Sequence, residues 1–585
     1  MRLVTTSILT LLSLFIVAQD LNWAYNYQNP ASVRELALGM STNGQDRIAI
    51  AAKGISSVTD LRRRDPNTAK DNSFIAVFNK DAELLWSVEG VGRASHAQRM
   101  ENVHMTADGS VYALGRFDGK EDFDPGAGKD EITASNIGSM YVQKFDKEGN
   151  YQWATTTTFS GIPYESAERP NGNLIVAGDC HGDTTQKLQD GSEVRIVRGL
   201  FVIEIDVNGN IVNAGSVHAK PTNSHYYDID VDSEGNILLS GCYDEAADFD
   251  LGSGEVWDTS HRSIDAFVAK YDKDFKYVWH RSFGDVKGNT ETWERAYGIE
   301  IGEGDDIYVA GIFSYETDFD PENNPGKFVL VADEMSQSPD GFILKYDKDA
   351  SVQWVQHLGG DLRVGQSNND IEIRNLIKDD EHLYLSGFVT GTVDMDPSDE
   401  VYQFGGVSST FAWAGSYSLE GELESVFMLN DTGSSLQTSG VEEFIDIEII
   451  NGSLIGYGRF QKIVDFDPGA GVYLLENDFY GRFYSFDHDI FLARWDYDTN
   501  AVSIPQIAEK ELTLFPNPTK EELQIEHPYS GRIDYAIRDI YGKVLLEGAS
   551  NQNEFMLNIG KRSAGIYFME LRSGDVLLVK KFVVQ

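Results

Sequence analysis

The stretch Asp265–Gly284, DAFVAKYDKDFKYVWHRSFG, decides how the rest of the chain is read. It holds an alternating apolar run, a polar turn, and a second run that contains a Trp. Apolar residues at every second position put one face of a strand into a core, and a polar turn between two such runs predicts a β-hairpin. Related phrases start near Phe74, Met140, Leu200, Ala266, Gly341, Phe411 and Asp489, each preceded by a second phrase of the type AYGIEIGEGDDIYVAGIF, Ala296–Phe313. Ala296–Gly359 carries the full unit: strand YGIEI, turn GEGDD, strand IYVAGIF, a long connection, strand GFILKYD, turn KDA and strand VQWVQHL. Four short strands per unit, recurring every 60 to 80 residues, suit propeller blades better than a sandwich.

The first strand of the unit recurs at Glu35–Leu38, Glu101–Met105, Glu165–Arg169, Tyr227–Val231, Tyr297–Ile301, Ile373–Ile377 and Phe444–Ile449, which makes seven blades. Leu21–Tyr27, LNWAYNY, reads as a fourth strand with no third strand before it. The last unit has its third strand, Asp489–Tyr497, but no clear fourth. The expectation is an all-β chain with a seven-bladed β-propeller over 19–497, closed by the N-terminal strand so that no sheet edge stays open. These phrases resemble the SBBP-type seven-bladed β-propeller repeat over roughly Leu21–Asn500. The resemblance implies a fold and an extracellular setting, and adds no activity.

Ser7–Ala18, SILTLLSLFIVA, follows Arg2 and ends at a small residue, so residues 1–18 read as a secretory signal peptide cut near Gln19. The run is too short to span a bilayer, and no later stretch is apolar enough to do so. Residues 498–511, DTNAVSIPQIAEKE, read as a linker. The alternating strands of 512–585 fit a small β-sandwich. Phe515, Pro516, Asn517 and Pro518, then Asp539–Gly542, Gly565, Tyr567 and the ending Lys580, Lys581, Phe582, Val583, Val584 closely resemble the C-terminal type A sorting domain of the type IX secretion system of Bacteroidota. That resemblance implies periplasmic transit, the type IX machinery as a partner, and release or attachment at the outer-membrane surface, usually with loss of the tail.

The formal net charge is −45, from 93 acidic against 48 basic residues, which argues against nucleic acid or an anionic membrane surface as partner. An acidic surface favours solubility and divalent cations instead. Two cysteines, Cys180 and Cys242, lie just past equivalent strand ends of adjacent repeats. Their registers differ by one residue relative to Gly178 and Gly241, so two buried thiols are favoured and a disulfide stays open.

An acidic phrase recurs in the long connection between second and third strands: EDFDPGAG at Glu121, ADFDLGSG at Ala247, TDFDPENN at Thr317, VDMDPSDE at Val393 and VDFDPGAG at Val464. The first unit offers only Asp65 in RRRDPN, and the third lacks the phrase. In antiparallel blades these connections share one face of the ring. The pairs Asp122/Asp124, Asp248/Asp250, Asp318/Asp320, Asp394/Asp396 and Asp465/Asp467 resemble half a calcium loop, and Ca²⁺ is the cofactor they would take. One D-x-D falls short of six to eight oxygen ligands, and the favoured reading has each Asp bonding backbone N–H groups in a turn while Phe123, Phe249, Phe319, Met395 or Phe466 packs inward. A second candidate is the axial channel, where the first strands would present His104, Asp230, Glu300 and Glu448 to a cation, an amine-bearing ligand or water. Trp23, Trp86, Trp153, Trp279 and Trp354 share the fourth-strand position, where packing between blades explains them better than carbohydrate stacking.

The chain has no G-x-S-x-G, H-E-x-x-H, P-loop or sialidase-type S-x-D-x-G-x-T-W box, and its eleven histidines lack ligand spacing. The expectation is a secreted or cell-surface binding module for an extracellular glycan or protein. The alternative is a polysaccharide-active or other hydrolytic propeller with its acids in the channel or long loops. Three or more converging acids with an Arg or His in one pocket would favour the enzyme; turn-bonded acids would favour the binder.

Overall fold

The computed structural model describes residues 19–27, 36–53, 73–89, 98–220, 227–287, 293–332, 339–359, 370–398, 402–431, 443–461, 463–468, 473–476 and 489–497, and in the tail 513–515, 519–520, 522–526, 532–539, 544–552, 554–560, 562, 565–573 and 576–584. The expected signal peptide, the linker, Asp65 and Pro516–Pro518 lie outside the described residues. One compact unit is Gln19–Tyr497; another includes Asp498–Gln585. Apart from a 3₁₀ turn at Glu303–Asp305, the described elements are β-strands.

In the larger unit four sheets each hold four antiparallel strands in hairpin order. The first runs Leu36–Thr42, Arg47–Lys53, Ser73–Asn79, Leu84–Glu89. Two others run Arg295–Ile301, Ile307–Phe313, Asp340–Tyr346, Val352–Leu358, and Asp370–Lys378, His382–Asp394, Gln403–Ser418, Leu423–Met428. The last joins Glu443–Ile450, Ser453–Phe460 and Asp489–Tyr497 to the N-terminal strand Gln19–Tyr27, with Ala24 opposite Ala493. Between them lies one continuous sheet of thirteen strands. It is continuous because long strands serve two neighbours: Tyr151–Glu168 pairs with Ser139–Phe145 through its first half and with Leu174–Cys180 through its second.

The second strands IYVAGIF and LIVAGDC are buried along their whole length, as expected of apolar runs covered on both faces. First strands are different. Most carry one extra residue, at Leu38, Glu101, Tyr164, Tyr297, Arg374 and Ile445, that has no partner across the ladder. Such a bulge flips the alternation that follows it and re-aims the side chains.

The quoted stretch forms the hairpin Trp257–Tyr271 and Tyr277–Asp285. At its turn the Asp272 carboxylate accepts the N–H groups of Asp274 and Lys276, both at 2.9 Å, and Phe275 takes the left-handed conformation at φ 64°. Asp146, Asp206 and Asp347 cap the equivalent turns the same way. The Trp that follows two of these turns reaches the next one along: Trp86 Nε1 donates to Lys147 O of the neighbouring sheet at 3.0 Å, and Trp153 Nε1 to Val207 O within the thirteen-stranded sheet at 3.1 Å. Trp23, in the N-terminal strand, makes the corresponding bond to Lys80 O of the first sheet at 3.2 Å. The Trp stripe therefore packs sheet on sheet. First and last sheets also share a buried cluster that includes Met40, Ile50, Tyr457 and Leu492, and Tyr457 donates to Ala51 O at 2.8 Å.

Cys180 and Cys242 are both buried free thiols, and Cys180 Sγ lies 3.1 Å from Gly182 O. In the tail a three-stranded and a four-stranded sheet enclose a common core that includes Leu523, Ile525, Ile537, Met569 and Phe582. The Lys-Lys-Phe-Val-Val ending is part of the strand Val576–Val584, where buried Phe582 stacks on Tyr567 at 5.8 Å between ring centroids. Phe515 remains partly exposed.

Candidate functional site

An inner first strand has one ladder edge without a strand partner, and its N–H groups must be satisfied some other way. Carboxylates from the preceding sheet do this. Asp228 and Asp230 stand two apart and so share a face. Asp228 Oδ2 accepts the Ile299 N–H and Asp230 Oδ2 the Ile301 N–H, both at 2.8 Å. Asp446 of the last sheet accepts the Met40 N–H of the first at 3.0 Å, and Glu448 lies 3.4 Å from the Thr42 hydroxyl. The side-chain amide of Asn102 bonds Tyr164 O and Glu165 in the same direction around the unit.

These strands enclose a cavity of about 350 Å³ walled by Glu165, Asp228, Asp230, Glu300, Asp446 and Glu448, with His104 and Arg374 also on its lining. The acids face the cavity and are half-buried there, so the charged form is costly. Burial pushes Asp230 up to about 6, Asp228 and Asp446 up to about 7, and Glu448 up to about 8. Glu165 and Glu300 are raised well above the ordinary carboxylate range by burial and then by their acidic neighbours. His104 is pushed down to about 4 by burial, partly offset by a hydrogen bond to the Ser166 backbone. Arg374 is held by Glu372 at 2.5 Å and lies over the Tyr297 ring.

The structure brings His104, Asp230, Glu300 and Glu448 together on this one lining. Sequence reading passes over Glu165, Asp228 and Asp446. Glu165 and Asp446 are each the first residue after a bulge, and Asp446 shares its face with Glu448 two residues on. Asp228 opens its strand. The signal was present: YDID and FIDIE both place two acids two residues apart.

The five D-x-D pairs are not gathered; each sits in its own connection and repeats one geometry. The first Asp accepts the N–H groups two and eight residues on: Asp122 from Asp124 and Asp130, Asp248 from Asp250 and Val256, Asp318 from Asp320 and Gly326, Asp394 from Asp396 and Tyr402, Asp465 from Asp467 and Tyr473, at 2.6–3.3 Å. The second Asp holds a tighter turn, as Asp124 does with Gly126 N–H at 2.7 Å and Asp396 with Ser398 N–H at 2.9 Å. Phe123, Phe249, Phe319, Met395 and Phe466 between them are buried. Among the described residues no three His, Cys, Asp or Glu side chains are placed to hold a metal ion.

Residues 513–585 match the family model of the secretion system C-terminal sorting domain. The protein is exported by the type IX secretion system. It therefore works at the cell surface or outside the cell. No curated protein matches the chain. Solved structures similar to it include Raptor of Chaetomium thermophilum, with 8% identity over 82% of this chain and TM-score 0.38. The chain spans 29% of Raptor's length. Streptogramin B lyase is similar at 9% identity over 74% of this chain and 94% of its own, with TM-score 0.32. PorZ, a surface component of the type IX secretion system of Porphyromonas gingivalis, is similar at 12% identity over 94% of this chain and 81% of its own, with TM-score 0.20. The described elements of the chain are all-β apart from one 3₁₀ turn.

Proposed function

We propose that Gln19–Tyr497 is a seven-bladed propeller of the SBBP-repeat type, closed by its N-terminal strand and serving outside the cell as a binding module. Counting the thirteen-stranded sheet as three blades fused through shared strands gives seven with the four separate sheets. The Trp23–Lys80 and Asp446–Met40 bonds support closure, since each repeats a sheet-to-sheet contact made elsewhere around the unit. Residues 1–18 act as the export signal across the inner membrane in this reading.

One observation carries the binding reading: the conspicuous acids are committed to the fold. Asp228, Asp230 and Asp446 hold backbone N–H groups of the next sheet, and the D-x-D pairs hold their own loops. Recognition then falls to less regular surface between the blades, with a glycan or protein as ligand. The hydrolytic reading is favoured by the convergence of six acids with His104 and Arg374 on one cavity. A glycan array and a polysaccharide-cleavage panel, run on the same exported protein, separate the two. Binding without new reducing ends or unsaturated products is expected; cleavage abolished by Glu300→Gln would replace the binding reading.

A further inference from the structure

On a chain of net charge −45, a recess lined by two arginines stands out. Arg99 and Arg116 are direct partners across the ladder of Gln98–Met105 and Val111–Phe117. Like charges set opposite each other on a sheet repel, so the pairing costs stability unless something offsets it. Glu101 takes Arg116 Nε at 2.8 Å. Arg99 is exposed and has no ion pair among the described residues.

Both arginines line a pocket of about 300 Å³ completed by Asp118, Ser160, His181 and Ile137. Ser160 Oγ and His181 Nδ1 lie 3.4 Å apart, so the wall beside the guanidinium groups carries a hydroxyl and an imidazole. Asp118 Oδ1 accepts the Gly138 N–H, which fixes one carboxylate on the wall beside them. Ile137 at the rim is 84% exposed. Arginine forks match a carboxylate or sulfate in two parallel bonds. A bare dianion would be repelled by Asp118, whereas a sugar hydroxyl donates to it and to the Ser160–His181 pair. The volume suits one or two sugar rings at the small end of ligand pockets. Long polyanions are disfavoured by the charge of the whole molecule; a single anionic residue feels mainly the charges within about 8–10 Å.

We propose that this recess binds an acidic saccharide unit, with its carboxylate or sulfate on Arg99 and Arg116 and its hydroxyls on Asp118 and Ser160. The assignment deepens the binding-module reading and rests on it. Calorimetric titration of the full exported chain with sodium D-glucuronate, D-glucose and sodium sulfate tests it. Glucuronate should bind at least tenfold more tightly than glucose or sulfate and weaken with added NaCl. Arg99→Gln should cost about tenfold in affinity, the loss expected for one charge-assisted contact. His181→Gln, also at an exposed position, should weaken binding too and carries the test if Arg99→Gln misfolds. No heat with glucuronate, equal heat with glucose, or unchanged affinity in both variants would overturn the site. Sulfate binding as tightly as glucuronate would overturn the saccharide assignment. Glycan binding that is undiminished in both Arg99→Gln and His181→Gln would remove this site and leave the module reading standing.

Discussion

At the residue scale, the carboxyls around the cavity make stability depend on pH. Burial pushes Glu448 up to about 8 from an ordinary 4.5, and Asp446 up to about 7 from 3.8. Between roughly pH 4 and 8 the folded chain therefore holds protons that the unfolded chain has released, and stability falls as pH rises through that window. Glu448→Gln removes part of this dependence. It should leave the melting temperature at pH 5 unchanged and raise stability at pH 8.5 by about 1–3 kcal/mol; an unaltered pH slope would contradict the burial account. Gly149 makes a second residue-scale case. Its φ is 85° and an added Cβ would lie 2.7 Å from the Trp86 ring. Gly149→Ala should cost about 1–3 kcal/mol in denaturant unfolding, through backbone strain and a displaced indole.

At the element scale, the hairpin Trp257–Asp285 was legible because its turn chemistry and alternation agree. Asp272 caps the turn its position implies, and Trp279 follows in the strand. The first strands were legible as elements but not in register. A one-residue bulge leaves the apolar pattern recognisable while shifting the register that follows it; Asp228 and Asp446 share a face with Asp230 and Glu448 two residues on, and only the second acid of each pair was singled out. The D-x-D connections were read as turns or half calcium loops, and the repeated bonds to the second and eighth N–H groups show how each carboxylate is used. The partner eight residues on could not be foreseen, because it depends on the loop folding back over a buried Phe. Asp248→Ala removes the carboxylate oxygen that accepts both N–H groups and should lower stability by about 1–3 kcal/mol. The loss should be the same with millimolar calcium or with chelator; a calcium-dependent difference would restore the metal reading. Nothing in the sequence marked the Arg99–Arg116 recess, since two arginines seventeen residues apart become neighbours only through the ladder.

At the scale of the whole molecule, export and the proposed closure belong to separate units. The tail carries the address: a chain lacking 513–585 should accumulate in the periplasm, measured by fractionation, and normal secretion would contradict the role of the sorting domain. Closure is a matter of topology. Leu21–Tyr27 was recognisable from sequence because a fourth strand without a third before it has no other place to pair, and it lies against Asp489–Tyr497. Its removal would expose the outer edge of the last sheet and strip the Trp23 bond from the first. The most direct measurement is thermal unfolding of the protein with and without Leu21–Tyr27. The closed seven-bladed ring predicts a fall of about 10 °C or more with loss of a single cooperative transition; an unchanged melting temperature and transition would contradict it.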